Sequence, residues 1–202
     1  MKTGTHPILN QPFVSIGPGE HFVTAEDCVI TTVLGSCVSV GVFDPVRKAG
    51  GLNHFMLPDE PLSLQISSSE SGRYGMHAME LLLGDLVKLG STRTRLRAKV
   101  FGGGAFISTN EVGWRIAMQN VEFAFDFLRS EGIQVESSDV GGASARRILY
   151  FPAVGRALVK ATPWTGGQLA KDEADYSRLM REAANNKSRL VLFQEPVAGG
   201  IA

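Results

Sequence analysis

Cys37 closes the run Leu34-Gly35-Ser36-Cys37, and His54 follows seventeen residues later in Asn53-His54-Phe55-Met56-Leu57-Pro58. A thiol leaving a Gly-Ser turn, with an imidazole on a neighbouring strand, is the pairing that thiol hydrolysis needs. The sulfur attacks a carbonyl carbon, and histidine is the side chain best suited to take its proton near neutral pH. A cysteine in an apolar strand is ordinarily packed and inert. Gly35 and Ser36 change that expectation, because a tight turn brings the thiol to a strand edge where backbone N–H groups can also hold a developing oxyanion. Cys28, between Asp27 and Val29 at a strand start, has no such setting and reads as structural. His6, His21 and His77 have no thiol partner and read as surface or helix residues.

A third group normally orients such a histidine. Asn53 is adjacent in sequence, but strand alternation turns it to the opposite face. Thr31 lies six residues before Cys37 on the preceding strand, and its hydroxyl or carbonyl could take the imidazole N–H. Its β propensity alone also accounts for a threonine there, and spacing leaves the two readings open.

Short β-branched and aromatic runs predict strands at 13–16, 22–24, 29–34, 38–43, 50–56, 96–101, 133–135, 147–151 and 157–160, punctuated by Gly17-Pro18-Gly19, Gly35-Ser36 and Asp44-Pro45. The short connections from residue 29 to 56 predict antiparallel or mixed pairing, since a parallel crossover needs a longer link. Met76, Met79, Leu82, Leu83, Leu86 and Leu89 recur at helical intervals and predict a helix from Tyr74 to Leu89, closed by Gly90. A second amphipathic helix spans Val112 to Arg129. The fold class is therefore α/β, a mixed-sheet sandwich with two main helices. Leu62 to Gly72 reads as a serine-rich surface loop. After Ala161 the composition shifts, with a linker at Pro163 to Gly167, a charged helix at Asp172 to Ala184 and an apolar run at Leu190 to Phe193. The expected organisation is a domain over 1–161 and an extension over 162–202.

The chain has 202 residues, 44% of them hydrophobic, enough for one substantial core. Twenty basic residues balance twenty acidic ones, which argues against nucleic acid or an anionic membrane as a partner recognised through bulk charge. No run approaches the roughly 20 apolar residues of a membrane span, and the first residues lack the apolar core of a signal peptide, so a cytoplasmic location is expected. Two cysteines and four histidines have no zinc-type spacing, and no metal or other cofactor is expected. Gly102-Gly103-Gly104 follows a strand, but neither a Gly-Lys-Ser/Thr nor a GxGxxG pattern accompanies it, which excludes the usual phosphate cradles. Gly141-Gly142, near Arg146 and Arg147, reads as a site wall or a turn of closely packed backbones.

The segments Leu34 to Val38, Asp44-Pro45, Asn53 to Pro58, Arg73-Tyr74, Lys99 to Ala105, Gln119-Asn120-Val121 and Asp139 to Gly142 resemble, in order, the CheD family of chemoreceptor glutamine deamidases. The resemblance covers roughly residues 10 to 160. It implies a fold related to the cytotoxic-necrotizing-factor toxins and a Cys-His-Thr triad on Cys37, His54 and Thr31. Gly35 and Ser36 would lie at the oxyanion and substrate. It implies a cysteine-dependent protein-glutamine glutaminase that converts receptor glutamines to glutamate, with possible action on glutamyl methyl esters. The partners it implies are the cytoplasmic region of chemoreceptors and a CheC-type phosphatase. The alternative is a regulatory module that binds a chemotaxis phosphatase or receptor without turnover. The 62–72 loop and the tail after Ala161 depart from the family pattern.

Overall fold

The computed structural model describes residues 1–57, 70–104 and 111–162, together with Lys171, Asp175, Tyr176 and Arg178. In chain order the strands and helices are β1 (Lys2–Thr5), β2 (Pro12–Ser15), β3 (His21–Thr24), β4 (Val29–Leu34), β5 (Val38–Asp44), β6 (Ala49–Asn53), α1 (Glu70–Lys88), β7 (Arg97–Gly102), α2 (Glu111–Ser130), β8 (Gln134–Val140), β9 (Ala145–Phe151) and β10 (Arg156–Thr162). They form two five-stranded sheets, ordered β1-β2-β4-β9-β10 and β3-β6-β5-β7-β8. Each is mixed: β2–β4 and β7–β8 are parallel, and the remaining pairs are antiparallel.

Strand alternation explains the layering. Val38, Val40 and Val42 of β5 point to one face, where Met79, Leu82, Leu83 and Leu86 of α1 and Phe123 and Leu128 of α2 cover them. The opposite face carries Cys37, Leu52 and Phe101 against Ile30 and Leu34 of β4 and Ile148 and Tyr150 of β9. The result is three layers: one sheet, the second sheet, and the helix pair. This is the α/β mixed-sheet sandwich with two main helices that the sequence predicts.

Three features differ from the sequence expectation. The strands at 29–34 and 38–43 are not neighbours. β4 lies in the first sheet and β5 in the second, so Gly35-Ser36 is a corner between sheets and Cys37 emerges in the space they enclose. β1 was not predicted; its polar Lys-Thr-Gly-Thr sequence is exposed and pairs with β2 alone among the described strands. Helix α1 starts at Glu70, inside the stretch expected to be loop. The rest of that loop, the linker at 163–167 and the apolar run at 190–193 lie outside the described residues. Of the predicted 172–184 helix, Asp175, Tyr176 and Arg178 are described, and they are helical.

Candidate active site

Beyond β6 the chain continues alongside β5, and Val38 and Phe55 exchange both backbone hydrogen bonds at 2.9 Å. This register sets Cys37 opposite Met56 and Ser39 opposite His54. Cys37 and His54 therefore project from the same face as diagonal neighbours, a relation that leaves about 7–8 Å between Cα atoms and keeps side chains within reach. Asn53 points the other way, accepting from the Val40 N–H at 2.8 Å and donating to Met79 Sδ at 3.2 Å.

The imidazole is held by a chain of hydrogen bonds. His54 Nδ1 meets Thr32 Oγ1 at 2.8 Å, and the Thr32 hydroxyl donates to the Ile16 carbonyl at 2.9 Å. A hydroxyl has one proton, and a carbonyl can only accept. The bond to Ile16 therefore leaves Thr32 Oγ1 as an acceptor, which assigns the proton to Nδ1 and a lone pair to Nε2. That Nε2 is buried and makes no hydrogen bond. Burial drives the His54 pKa down from 6.5 to about 3, against an opposing pull from the Glu20 carboxylate. At neutral pH the ring is an uncharged base with its free nitrogen on the Cys37 face.

The threonine in contact is Thr32, where the sequence reading named Thr31. On β4, Ile30, Thr32 and Leu34 face the second sheet, and Thr31 faces away with Val29 and Val33. Thr31 Oγ1 is buried and has no hydrogen-bond partner. Gly35 and Ser36 lie in the corner itself. The Gly35 carbonyl accepts from the Gly104 N–H at 2.7 Å and the Cys37 carbonyl from the Gly103 N–H at 2.8 Å. Gly102-Gly103-Gly104 is thus a backbone brace for the turn that presents Cys37. A Cβ on Gly102, whose φ is +109°, would lie 2.2 Å from the Cys37 carbonyl oxygen. Gly141 extends the brace, its N–H donating to the Gly102 carbonyl at 2.9 Å. The Arg146 guanidinium closes the turn behind it by donating to Asp139 Oδ1 at 2.6 Å and to the Gly141 carbonyl.

Two residues of the site were given no role from sequence, although Asn120 lies in the Gln119-Asn120-Val121 segment of the family resemblance. Asn120, fully buried on α2, donates from Nδ2 to the Ser36 carbonyl at 3.0 Å and accepts at Oδ1 from the Leu57 N–H at 2.7 Å. One side chain so ties the turn carrying Cys37 to the strand carrying His54. Its signal is legible in retrospect, as an amide on the apolar stripe that includes Ala117 and Ala124. Glu20 is the second. Its carbonyl accepts from the His54 N–H at 2.9 Å, and its carboxylate accepts from the Gly17 N–H at 2.8 Å and from the Met1 ammonium. Burial works to raise its pKa, and these bonds outweigh it and keep the carboxyl below its ordinary value. A cavity of about 290 Å³ bounded by Ser15, Gly17, Pro18, Glu20, Thr32 and His54 lies beside the imidazole. Cys28 is buried, and burial first, then Asp27 and Glu26, push its thiol pKa up, as suits a packing residue.

Comparison with known proteins decides the family. A CheD chemotactic sensory transduction model matches residues 56–161. A Cupriavidus metallidurans protein named probable chemoreceptor glutamine deamidase CheD is 48% identical over 73% of this chain and 67% of its own. This chain belongs to the CheD family. A CheD of the same name from Herminiimonas arsenicoxydans is 42% identical, over 81% of each chain. One from Burkholderia vietnamiensis is 39% identical over 93% of this chain and 77% of its own. Cys37 and His54 lie just before the span of the CheD model, but a match over 93% of the chain necessarily includes both. Among solved structures, the hypothetical protein YfiH of Bacillus licheniformis is similar at a TM-score of 0.38 and 17% identity, over 60% of this chain and 51% of that one.

Proposed function

We propose that this CheD is a chemoreceptor glutamine deamidase that works through a Cys37 thioester, with His54 as base and acid and Thr32 as the group that orients it. The observation that carries the chemistry is the His54–Thr32–Ile16 hydrogen-bond chain, which leaves Nε2 as a lone pair on the face that Cys37 shares. Nε2 accepts the Cys37 proton as the sulfur bonds to the side-chain amide carbon of a receptor glutamine. Backbone N–H groups of the Gly35-Ser36-Cys37 corner carry the oxyanion. The C–N bond breaks as ammonia departs with the proton from Nε2. Water, for which the cavity beside Thr32 and His54 offers room, then loses a proton to Nε2 and attacks the thioester. The C–S bond breaks, giving glutamate and the regenerated thiol. Glutamyl methyl esters would pass through the same acyl-enzyme.

The relatives' names favour this enzyme over a binding module without turnover. A cytoplasmic location, a CheC-type phosphatase as a competing partner, and a division into a deamidase domain over 1–161 and an extension over 162–202 belong to the same reading. The experiment is to incubate the protein with a receptor cytoplasmic fragment, follow ammonia release, and locate by mass spectrometry the gain of about 1 Da that marks an amide turned to acid. Cys37→Ala is expected to abolish both signals, and full activity in that variant would sink the proposal.

A further inference from the structure

Cys37 is 0% exposed and His54 1%, so an amide on another protein reaches them only if something moves. The cleft leading to His54 from the α1 side is bounded by Gly19, Glu20, Tyr74, Ala78 and Tyr176. Tyr176 comes from the stretch after β10, far in sequence from every other residue of the site. Its ring packs on the cluster that holds Cys37 and Met56. Its hydroxyl shares a hydrogen bond with the Tyr74 hydroxyl at 2.9 Å, and the two rings meet edge-on at 6.4 Å between centroids. Gly19 makes room for it: a Cβ there would sit 2.6 Å from Tyr176 Cε2, while the Gly19 N–H holds the His54 carbonyl at 2.7 Å. Burial, then the Tyr74 bond and the charges of Tyr74 and Cys37, push the Tyr176 pKa far up, so the phenol stays neutral against the thiol.

We propose that the cleft between Gly19 and Tyr74 is the subsite that admits the substrate's primary carboxamide, and that Tyr176 fills it from within the chain until substrate displaces it. A phenol is a fair stand-in for a glutamine side chain, with an apolar body along the cleft and a polar tip. Withdrawal of Tyr176 releases the Tyr74 hydroxyl, which can both donate to and accept from a carboxamide. The nature of the substrate rests on the deamidase reading; the shielding of Cys37 does not.

The test uses the full chain and iodoacetamide, with alkylation of Cys37 and Cys28 followed separately by peptide mass spectrometry. Tyr176→Ala is expected to speed Cys37 alkylation about tenfold or more, because the reagent no longer waits for a minor open state. Tyr176→Phe, which loses only the bond to Tyr74, is expected to speed it roughly threefold. Cys28 serves as the internal control and should stay within about twofold of wild type. An unchanged Cys37 rate in Tyr176→Ala overturns the proposal, as does a parallel rise at Cys28, which would mean general loosening. Tyr74→Phe should speed alkylation like Tyr176→Phe yet raise the KM for a receptor fragment, and an unaltered KM overturns the subsite assignment. Alkylation needs no receptor, so the two readings fail separately. If Tyr176→Ala exposes Cys37 but neither protein releases ammonia, the deamidase reading falls and the shielding stands. If wild type deamidates while alkylation ignores Tyr176, the shielding falls alone.

Discussion

Replacing each of two adjacent threonines separates the geometry of β4 from the family pattern. Thr32→Val keeps the shape of the side chain but removes the acceptor for the His54 Nδ1–H and the donor to the Ile16 carbonyl. His54 is 1% exposed, and a water drawn from the cavity beside Thr32 and His54 in place of the hydroxyl would put the loss at the low end of the range. A buried donor without an acceptor costs about 1–3 kcal/mol. The ring can avoid that cost only by shifting its proton to Nε2, which removes the lone pair that takes the Cys37 proton. Either way the loss falls on the base of the proposed mechanism, and 1–3 kcal/mol corresponds to roughly a 5- to 150-fold fall in kcat/KM. Thr32→Ser retains the hydroxyl and should recover most of the activity.

Thr31→Val should behave in the opposite way. Its hydroxyl is already buried without a partner, so removing it relieves a desolvated polar group and leaves kcat/KM within about twofold. The assay is the initial rate of ammonia release from a receptor fragment, with thermal unfolding recorded for each variant. A Thr31→Val enzyme that loses more than about tenfold while Thr32→Val stays active would refute the reasoning. It would mean that β4 presents its odd-numbered residues to His54 when the enzyme turns over.

Two further outcomes follow from burial in the site. His54 has a folded pKa of about 3 and about 6.5 when unfolded, so below pH 6.5 the unfolded chain binds a proton that the folded chain refuses. Stability is full above that value and falls by about 1.4 kcal/mol per pH unit toward pH 3; denaturant titrations at pH 7 and 5 should show wild type losing about 2 kcal/mol more than His54→Gln, and equal losses would contradict the assigned burial. Asn120→Ala removes the bonds to the Ser36 carbonyl and the Leu57 N–H inside the protein, and should lower unfolding free energy by about 1–3 kcal/mol, with Asn120→Asp, which keeps the acceptor toward Leu57, intermediate.

The layered fold was legible because its two periodicities are. The α1 stripe Met79, Leu82, Leu83 and Leu86 and the alternating valines of β5 each point to one buried face, while Met76, read into the same stripe, is exposed at the start of the helix. The partner of His54 was not legible, and β4 shows why. In Val-Ile-Thr-Thr-Val-Leu both faces are buried, so odd and even positions are equally apolar and the alternation carries no parity. Which threonine looks at His54 is settled by pairing with β2 and β9, both distant in sequence. The corner at Gly35-Ser36 was ambiguous for a related reason, since the same residues suit a hairpin within one sheet. Glu20 carried no signal at all: it follows Gly17-Pro18-Gly19, reads as a solvated turn, and reaches His54 only because β3 runs beside β6.

Glu20 also bears on how a base with so low a pKa can work. With His54 neutral at rest, the proposed mechanism charges the ring only as it takes the Cys37 proton and sulfur bonds to the amide carbon. Any group that stabilises the imidazolium is felt in that step and hardly at all in substrate binding. The Glu20 carboxylate is such a group, because its charge opposes the effect of burial on His54. It is also held in its ionised form by the Gly17 N–H and the Met1 ammonium. Glu20→Gln keeps an acceptor toward Gly17 and removes the charge together with the bond from the Met1 ammonium. Glu20 also borders the cleft beside Tyr74, so the mark of an interaction made in the transition state is a fall in kcat of up to about tenfold that exceeds any change in KM. The acid limb of the kcat profile should move to higher pH in wild type relative to Glu20→Gln, since the carboxylate raises the His54 pKa. A rise in KM with kcat preserved would instead place Glu20 on the substrate, and the imidazolium would then depend on Thr32 alone among the groups described here.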